Sequence, residues 1–229
     1  MGHVTLDNPV WGSLTGTHRR LAIVNGRAAR YPADVSPFMA VPDDPGPEDW
    51  RRLGDLAGED AVVLVNPPAS VPGSWTVARE IKGLQMLGPE EAPHIETSTG
   101  GWHVDRLGPA DAADMLALAT ATEPGPFAAR TGILGNYLGV RDEGRLVAMA
   151  GERLQPDGWT EISAVCTDPD YRGRGLARML MERVAAGIRQ RGQRPFLHVM
   201  ADNAGAIRLY ESMGYVVRRA LDINVYLPT

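Results

Sequence analysis

At 229 residues, the chain is long for one small domain and short for two large ones. Its 44% hydrophobic and 22% charged residues are the balance of a globular protein able to bury a core. A net charge of −5, from 23 basic and 28 acidic side chains, argues against a nucleic-acid binder, whose surface carries the opposite sign. The single cysteine, Cys166, excludes an intrachain disulfide and a cysteine-rich metal site, so no metal is expected. Residues 1–12 lack the apolar core of a signal peptide, and no run is long enough to span a bilayer. A cytoplasmic protein with no membrane partner is the expectation.

In chain order, Leu21–Val24 and Pro37–Val41 read as strands. Pro47–Ala57 reads as a helix with an acidic first turn and Trp50, Leu53 and Leu56 at helical spacing. Ala61–Val65 and Trp75–Leu84 return to strand, giving a small α/β unit. Turn-rich Gly88–Gly101 then places a boundary between residues 97 and 98. Beyond it, Trp102–Leu107 reads as a strand, Pro109–Ala119 as a helix and Phe127–Leu134 as a shorter helix. Tyr137–Val140 and Arg145–Ala150 make a hairpin, and Trp159–Cys166 is a further strand. Gly175–Arg189 is a helix with Leu176, Leu180, Val184 and Ile188 in one stripe and Gly192 placed to end it. Pro195–Met200 is a strand, Ala204–Met213 a helix, and Tyr215–Val217 and Ile223–Leu227 are two closing strands. The fold class is therefore α/β with a mixed sheet.

Between strand and helix lies Arg172-Gly-Arg-Gly-Leu-Ala177. Gly173 and Gly175 permit backbone conformations that other residues resist and allow a ligand to approach closely. The helix amino terminus supplies free N–H groups and a positive dipole end, with Arg172, Arg174 and Arg178 adding charge. This is a diphosphate cradle, although a Gly-rich turn with solvated arginines has the same composition. The spacing fits neither the Gly-x-Gly-x-x-Gly dinucleotide fingerprint nor the Gly-Lys-Ser/Thr triphosphate loop.

A second element follows, Asn203-Ala-Gly-Ala-Ile-Arg-Leu-Tyr-Glu-Ser-Met-Gly-Tyr215. Together the two resemble the signatures of the Gcn5-related N-acetyltransferase superfamily: Gln/Arg-x-x-Gly-x-Gly/Ala for coenzyme A, met by Arg172, Gly175 and Ala177, and Asn-x-x-Ala-x-x-x-Tyr. The resemblance covers about residues 102 to 227 and is sharpest from Glu161 to Tyr215. Its branch containing glycine N-acyltransferase-like proteins also carries a smaller α/β unit ahead of the catalytic domain. The resemblance implies an acetyltransferase domain at 98–229, preceded by a degenerate, non-catalytic unit at 1–97.

Acetyl transfer to an amine needs a base, a polarised carbonyl and a proton for the leaving thiolate. Glu161 lies eleven residues ahead of Arg172, the spacing of the general base in the histone-acetylating branch. Strict alternation would put Glu161, Ser163 and Val165 on one face of the strand, with Ile162, Ala164 and Cys166 on the other. His198 is the rival base, five residues before Asn203. Either residue is open to a structural reading, as a salt-bridged glutamate or a satisfied core histidine. Tyr210 matches the family tyrosine that protonates the thiolate. Asn203 and Ala206 are implied to lie along the pantetheine arm. Backbone groups of Val165, Cys166 and Thr167 are implied to pair with it where a bulge splays the strand, with the Val165 N–H polarising the carbonyl. Gly173, Arg174, Leu176 and Arg178 complete the implied cofactor set. Cys166 lacks a sequence-evident activating base and is read as a core residue.

The expected activity is direct acetyl transfer from acetyl-coenzyme A to a primary amine of a small molecule or peptide, in a monomer or homodimer. An acyl-coenzyme A-binding module without catalysis is the alternative. The acceptor loops, around Thr122–Pro126 and Leu154–Gly158, carry no readable code.

Overall fold

The computed structural model describes residues 4–68, 70–91 and 101–228. Its first half contains α1 (Pro9–Thr15), β1 (Ile23–Asn25), β2 (Ala28–Arg30), β3 (Met39–Ala40), α2 (Pro47–Ala57), β4 (Val62–Val65) and β5 (Trp75–Leu87). The second half contains β6 (Asp105–Leu107), α3 (Ala112–Thr122), β7 (Tyr137–Asp142), β8 (Arg145–Glu152) and β9 (Trp159–Thr167). It closes with α4 (Leu176–Gln190), β10 (Arg194–Met200), α5 (Ala204–Ser212) and β11 (Val216–Pro228). Strands β1 to β3 form a small sheet, and the other eight form one mixed sheet in the order β4-β11-β5-β10-β9-β8-β7-β6. Among the described residues no helix is long and apolar enough to cross a membrane.

The expected boundary at 97/98 falls in residues 92–100, outside the described residues. The large sheet itself is not divided there. β5, from the first half, lies between β10 and β11 and is antiparallel to both. Its thirteen residues pair with β11 from Val216 to Pro228, so the two closing strands expected from the sequence are one long strand. A register shift between Val217 and Arg219 leaves Arg218 bulged within it.

Two further expectations are corrected. Phe127–Leu134 is not a helix beyond one 3-10 turn at Thr131–Leu134. The Thr131 hydroxyl accepts from the Ala128 N–H and donates to the Val35 carbonyl, each at 2.7 Å, so local side-chain bonds replace helical ones. The alternation assumed for β9 fails as well. Met149 pairs with Cys166 and Gly151 with Ser163, so Ala150 of β8 faces both Ala164 and Val165. Ala164 takes φ of 52°, which an L residue adopts only under constraint. This bulge reverses the phase: Val165 packs with Ile162 against α4, whereas Ala164 and Cys166 pack with Met115 and Leu118 of α3.

Helix α4 buries Leu176, Leu180, Val184 and Ile188 as its spacing requires, and Gly192 closes it at φ of 73°. Its stripe forms one core with Ile162, Leu197, Val199 and Tyr210. A second core joins α1, β2 and β3 to the sheet through Leu6, Tyr31, Phe38, Trp159 and Phe196. The short helix α1 was not legible in the sequence. Asn8 caps it by accepting from the Trp11 N–H, and Pro9 sits at its first position.

Buried His18 fastens this contact, with Nδ1 at 2.9 Å from the Tyr31 hydroxyl and Nε2 at 2.9 Å from the Leu134 carbonyl. Desolvation lowers its pKa from 6.5 to about 4. Between those values the unfolded chain binds a proton that the folded chain excludes, so stability falls as pH drops from 6.5 towards 4. The full effect is on the order of 3 kcal/mol. Urea unfolding at pH 7 and pH ~4.5 is expected to show a smaller acid loss for His18→Gln than for the wild type; equal losses would refute the assignment. Removing residues 1–97 strips β4 and β5 and bares β10 and β11, so that truncation is expected to lose cooperative unfolding by circular dichroism. A cooperatively folded remnant would show the sheet independent of β5.

Candidate active site

The site is built where β9 and β10 part. The two strands are parallel and pair at Trp159–Arg194, Thr160–Pro195 and Glu161–Phe196, and the ladder stops there. Beyond this fork β9 continues for six residues, with the Ala164 bulge, and β10 for four. Residues Ile162 to Thr167 of β9 therefore present, toward β10, backbone groups that no β10 residue pairs. The hydroxyl of Thr167, at the end of this segment, is buried and without a hydrogen-bond partner among the described residues.

The chain then turns through a 3-10 turn at Pro169–Tyr171 into α4. Gly173 and Gly175 hold φ of 76° and 78°, and among the described residues beyond their chain neighbours nothing lies within 4 Å of where a Cβ would stand at either. These glycines serve the left-handed backbone and leave the space above it open. The first bond of α4 runs from the Met179 N–H to the Gly175 carbonyl, so the N–H groups of Leu176, Ala177 and Arg178 precede the helical ladder. The Leu176 side chain is buried and offers only its backbone. Arg172 lies 3.5 Å from the Thr167 carbonyl. Arg174 donates to the Asp170 carbonyl at 3.1 Å and lies 4.7 Å from the Tyr171 ring centroid. Arg178 reaches Ser212 at the end of α5. The open cradle, the unpaired strand segment and the buried Thr167 hydroxyl fit a long thioester ending in a diphosphate.

The other expected residues divide by burial. Exposed Asn203 caps α5, its side-chain oxygen accepting from the Ala206 N–H at 3.1 Å, and this leaves its amide N–H₂ available. Tyr210 lies in the α4 core, and desolvation pushes its phenol up to about 12. Burial pushes the Cys166 thiol up to about 11, which keeps it protonated and unsuited to nucleophilic attack.

Glu161 and His198 meet, but not as exposed groups. Glu161 has no accessible surface. Its Oε1 is 2.7 Å from His198 Nδ1, and Arg153 binds it through both Nε at 2.9 Å and Nη2 at 2.7 Å. Desolvation alone would raise its pKa; Arg153 and His198 overcome that and hold the carboxyl far below the usual range. Arg153 stacks over the Phe38 ring at 4.9 Å, so the first half of the chain covers the pair.

Arg153 was missed from the sequence although a signal existed. A hairpin turning at Pro156-Asp-Gly158 sets residue 153 opposite residue 161, and the Arg153 N–H donates to the Glu161 carbonyl at 3.0 Å. Gln85 had no such signal. It stands opposite His198 on β5 and is fully buried, its Nε2 3.0 Å from His198 Nε2.

Known proteins share this architecture. A family model described as FR47-like protein matches residues 137–222. The solved structure of an acetyltransferase described as being from the GNAT family, from Novosphingobium aromaticivorans, is 42% identical, with 98% of each chain covered and a TM-score of 0.86. A GCN5-related N-acetyltransferase from Kribbella flavida shares the fold at 18% identity, with a TM-score of 0.65 over 96% of this chain and 95% of that one. Among curated proteins, the mycothiol acetyltransferase of Corynebacterium efficiens is 29% identical over 197 residues, covering 80% of this chain and 60% of its own length. The ribosomal protein bS18-alanine N-acetyltransferase of Escherichia coli is 38% identical over 73 residues, 31% of this chain and 49% of its own. The chain spans between 31% and 60% of the length of the first curated relatives it matches.

Removing one partner of a buried ion pair leaves the other charge uncompensated, at a cost of about 3–5 kcal/mol. Glu161→Gln is accordingly expected to lower the urea unfolding free energy by about that amount, and a loss within ~0.5 kcal/mol would show that Arg153 finds another partner.

Proposed function

Since the chain belongs to the GNAT family of acetyltransferases, we propose that it transfers an acetyl group from acetyl-coenzyme A directly to a primary amine. The observation that carries this reading is the fork between β9 and β10, which leads from a buried His–Glu pair to an open helix amino terminus. When bound, acetyl-coenzyme A supplies the activated acyl group as a thioester.

In this reading the N–H groups from Gly173 to Arg178 hold the diphosphate, with Arg172, Arg174 and Arg178 adding charge. Free backbone groups of Val165, Cys166 and Thr167 pair with the pantetheine arm, and the Asn203 amide and Ala206 flank it. The Val165 N–H faces the acetyl carbonyl and stabilises its oxygen as charge builds there. His198 takes the amine proton at Nε2, and Glu161 orients the ring and balances the resulting positive charge. Tyr210, its phenol pushed up to about 12, is protonated across the working range and donates to the departing sulfur.

Residues 1–97 carry no second coenzyme A motif, and through β4 and β5 they complete the sheet of residues 98–229. That leading α/β unit is also the basis for placing the chain with the glycine N-acyltransferase-like branch. The relatives named for mycothiol and for the alanine of a ribosomal protein support amine acetylation as the class of reaction.

Thiol release from acetyl-coenzyme A should be followed over a panel of primary amines, including alanine-terminated peptides. Turnover with at least one amine is expected. Tyr210→Phe, which keeps the buried ring, is expected to lower kcat by roughly 10²-fold with acetyl-coenzyme A binding unchanged. Tight binding of acetyl-coenzyme A with no thiol released by any amine would instead indicate a binding module.

A further inference from the structure

The partners of Gln85 and Glu161 show which nitrogen of His198 carries the proton. Gln85 Oε1 accepts from Arg218 Nη1 at 2.7 Å, and a guanidinium has only donors, so the amide cannot be flipped. Gln85 Nε2 therefore faces the Leu6 carbonyl at 2.9 Å and His198 Nε2 at 3.0 Å. An amide nitrogen only donates, so His198 Nε2 accepts and the ring proton sits on Nδ1. There it meets the carboxylate of Glu161 at 2.7 Å. The opposite tautomer would set two donors together at Gln85 and two acceptors together at Glu161.

The arrangement is anchored from the first residues of the chain. Arg218 and Arg219, brought to the same side by the β11 bulge, bind Asp7 Oδ1 at 2.7 and 2.9 Å. Asp7 is flanked by Leu6, whose carbonyl takes the other Gln85 N–H.

We propose that Gln85 is a positioning residue of the acetyl transfer: with Glu161 it holds His198 as the Nδ1–H tautomer, and it keeps the Nε2 lone pair directed at an N–H donor. This rests on the reading of His198 as the base. His198 Nε2 is bonded to Gln85, and the His198 side chain is 3% exposed, so the acceptor N–H has to take Nε2 from the Gln85 amide when it binds. The proton then passes from the amine nitrogen to Nε2. The lone pair freed on the former ammonium nitrogen forms the new C–N bond as the C–S bond breaks; the departing sulfur takes the Tyr210 proton, and the second proton released by the new amide nitrogen returns to Tyr210 through solvent. The charged groups around the ring are Glu161 on β9, Arg153 beside it, and Arg218, Arg219 and Asp7 behind Gln85.

The test uses the full-length protein with ¹⁵N-labelled histidine, its ring signals assigned by comparison with His198→Gln. Long-range ¹H–¹⁵N correlations are expected to show a protonated Nδ1 and an unprotonated Nε2 for His198. In Gln85→Glu, a carboxylate faces Nε2 and demands a proton there, so both ring nitrogens are expected to be protonated at neutral pH. The acid limb of the kcat profile should then rise by about one pH unit or more, with the KM for acetyl-coenzyme A unchanged. Gln85→Met, neutral and of similar size, should remove the N–H bond at Nε2 and shift the Nε2 signal, with Nδ1 still protonated against Glu161 and no rise in the acid limb; it keeps the test usable if Gln85→Glu fails to fold. A His198 ring protonated on Nε2 alone in the wild type, or unchanged ring signals in both folded variants, overturns the assignment to Gln85. Altered ring protonation with an unaltered pH profile overturns the reading of His198 as base, and with it this role.

Discussion

The architecture turns on one discontinuity, the end of the β9–β10 ladder at Glu161 and Phe196. Parallel strands that stop pairing leave backbone groups in need of partners, and a sheet tolerates this only where other contacts hold the strands apart. Here Ile162, Val165, Leu197 and Val199, all on the two diverging strands, join the α4 stripe in one core and fill one side of the opening. Ala164 at φ of 52° lets β9 stay paired with β8 while it turns from β10. The fork, the cradle and the buried His–Glu pair are consequences of that one divergence.

A charge at the fork would be costly without its partners. Glu161 is buried completely, and its compensation comes from Arg153 on one side and His198 on the other. The same cluster reaches into the first half of the chain, since Phe38 underlies Arg153 and Gln85 closes on His198. β5 inserted between β10 and β11 makes this contact part of the sheet rather than a docked surface. The small sheet and α1 add the apolar cover, with His18 and Tyr31 as the polar fastening.

The helices α2, α4 and α5 were legible to within a residue at each end because their apolar spacing, caps and glycines agree locally. The cradle was legible for the same reason: its glycines, arginines and helix start are contiguous in sequence. What could not be read was non-local. Nothing near Trp75–Leu87 announces a strand between β10 and β11, so neither Gln85 nor the continuity of β11 was visible. The phase of β9 was misread because alternation presumes an unbroken ladder, and the Ala164 bulge depends on β8 as much as on β9. The 3-10 turn at Thr131–Leu134 lost its helical reading to a hydrogen bond with Val35, 96 residues away.

Sequence spacing left Glu161 and His198 as competing bases, and their hydrogen-bond surroundings differ. A carboxylate held by a bidentate guanidinium has its acceptor capacity engaged, and its pKa far below the ordinary range makes it a weak base at neutral pH. The imidazole beside it is different: its Nδ1–H is spent on Glu161, and its Nε2 lone pair faces a neutral amide rather than a charge. A proton arriving at Nε2 would be stabilised by the carboxylate across the ring, whereas a proton arriving at Glu161 would have to displace Arg153. Physical chemistry therefore ranks His198 ahead of Glu161 as the proton acceptor. In the proposed mechanism the buried glutamate acts on the imidazole and needs no access to the amine.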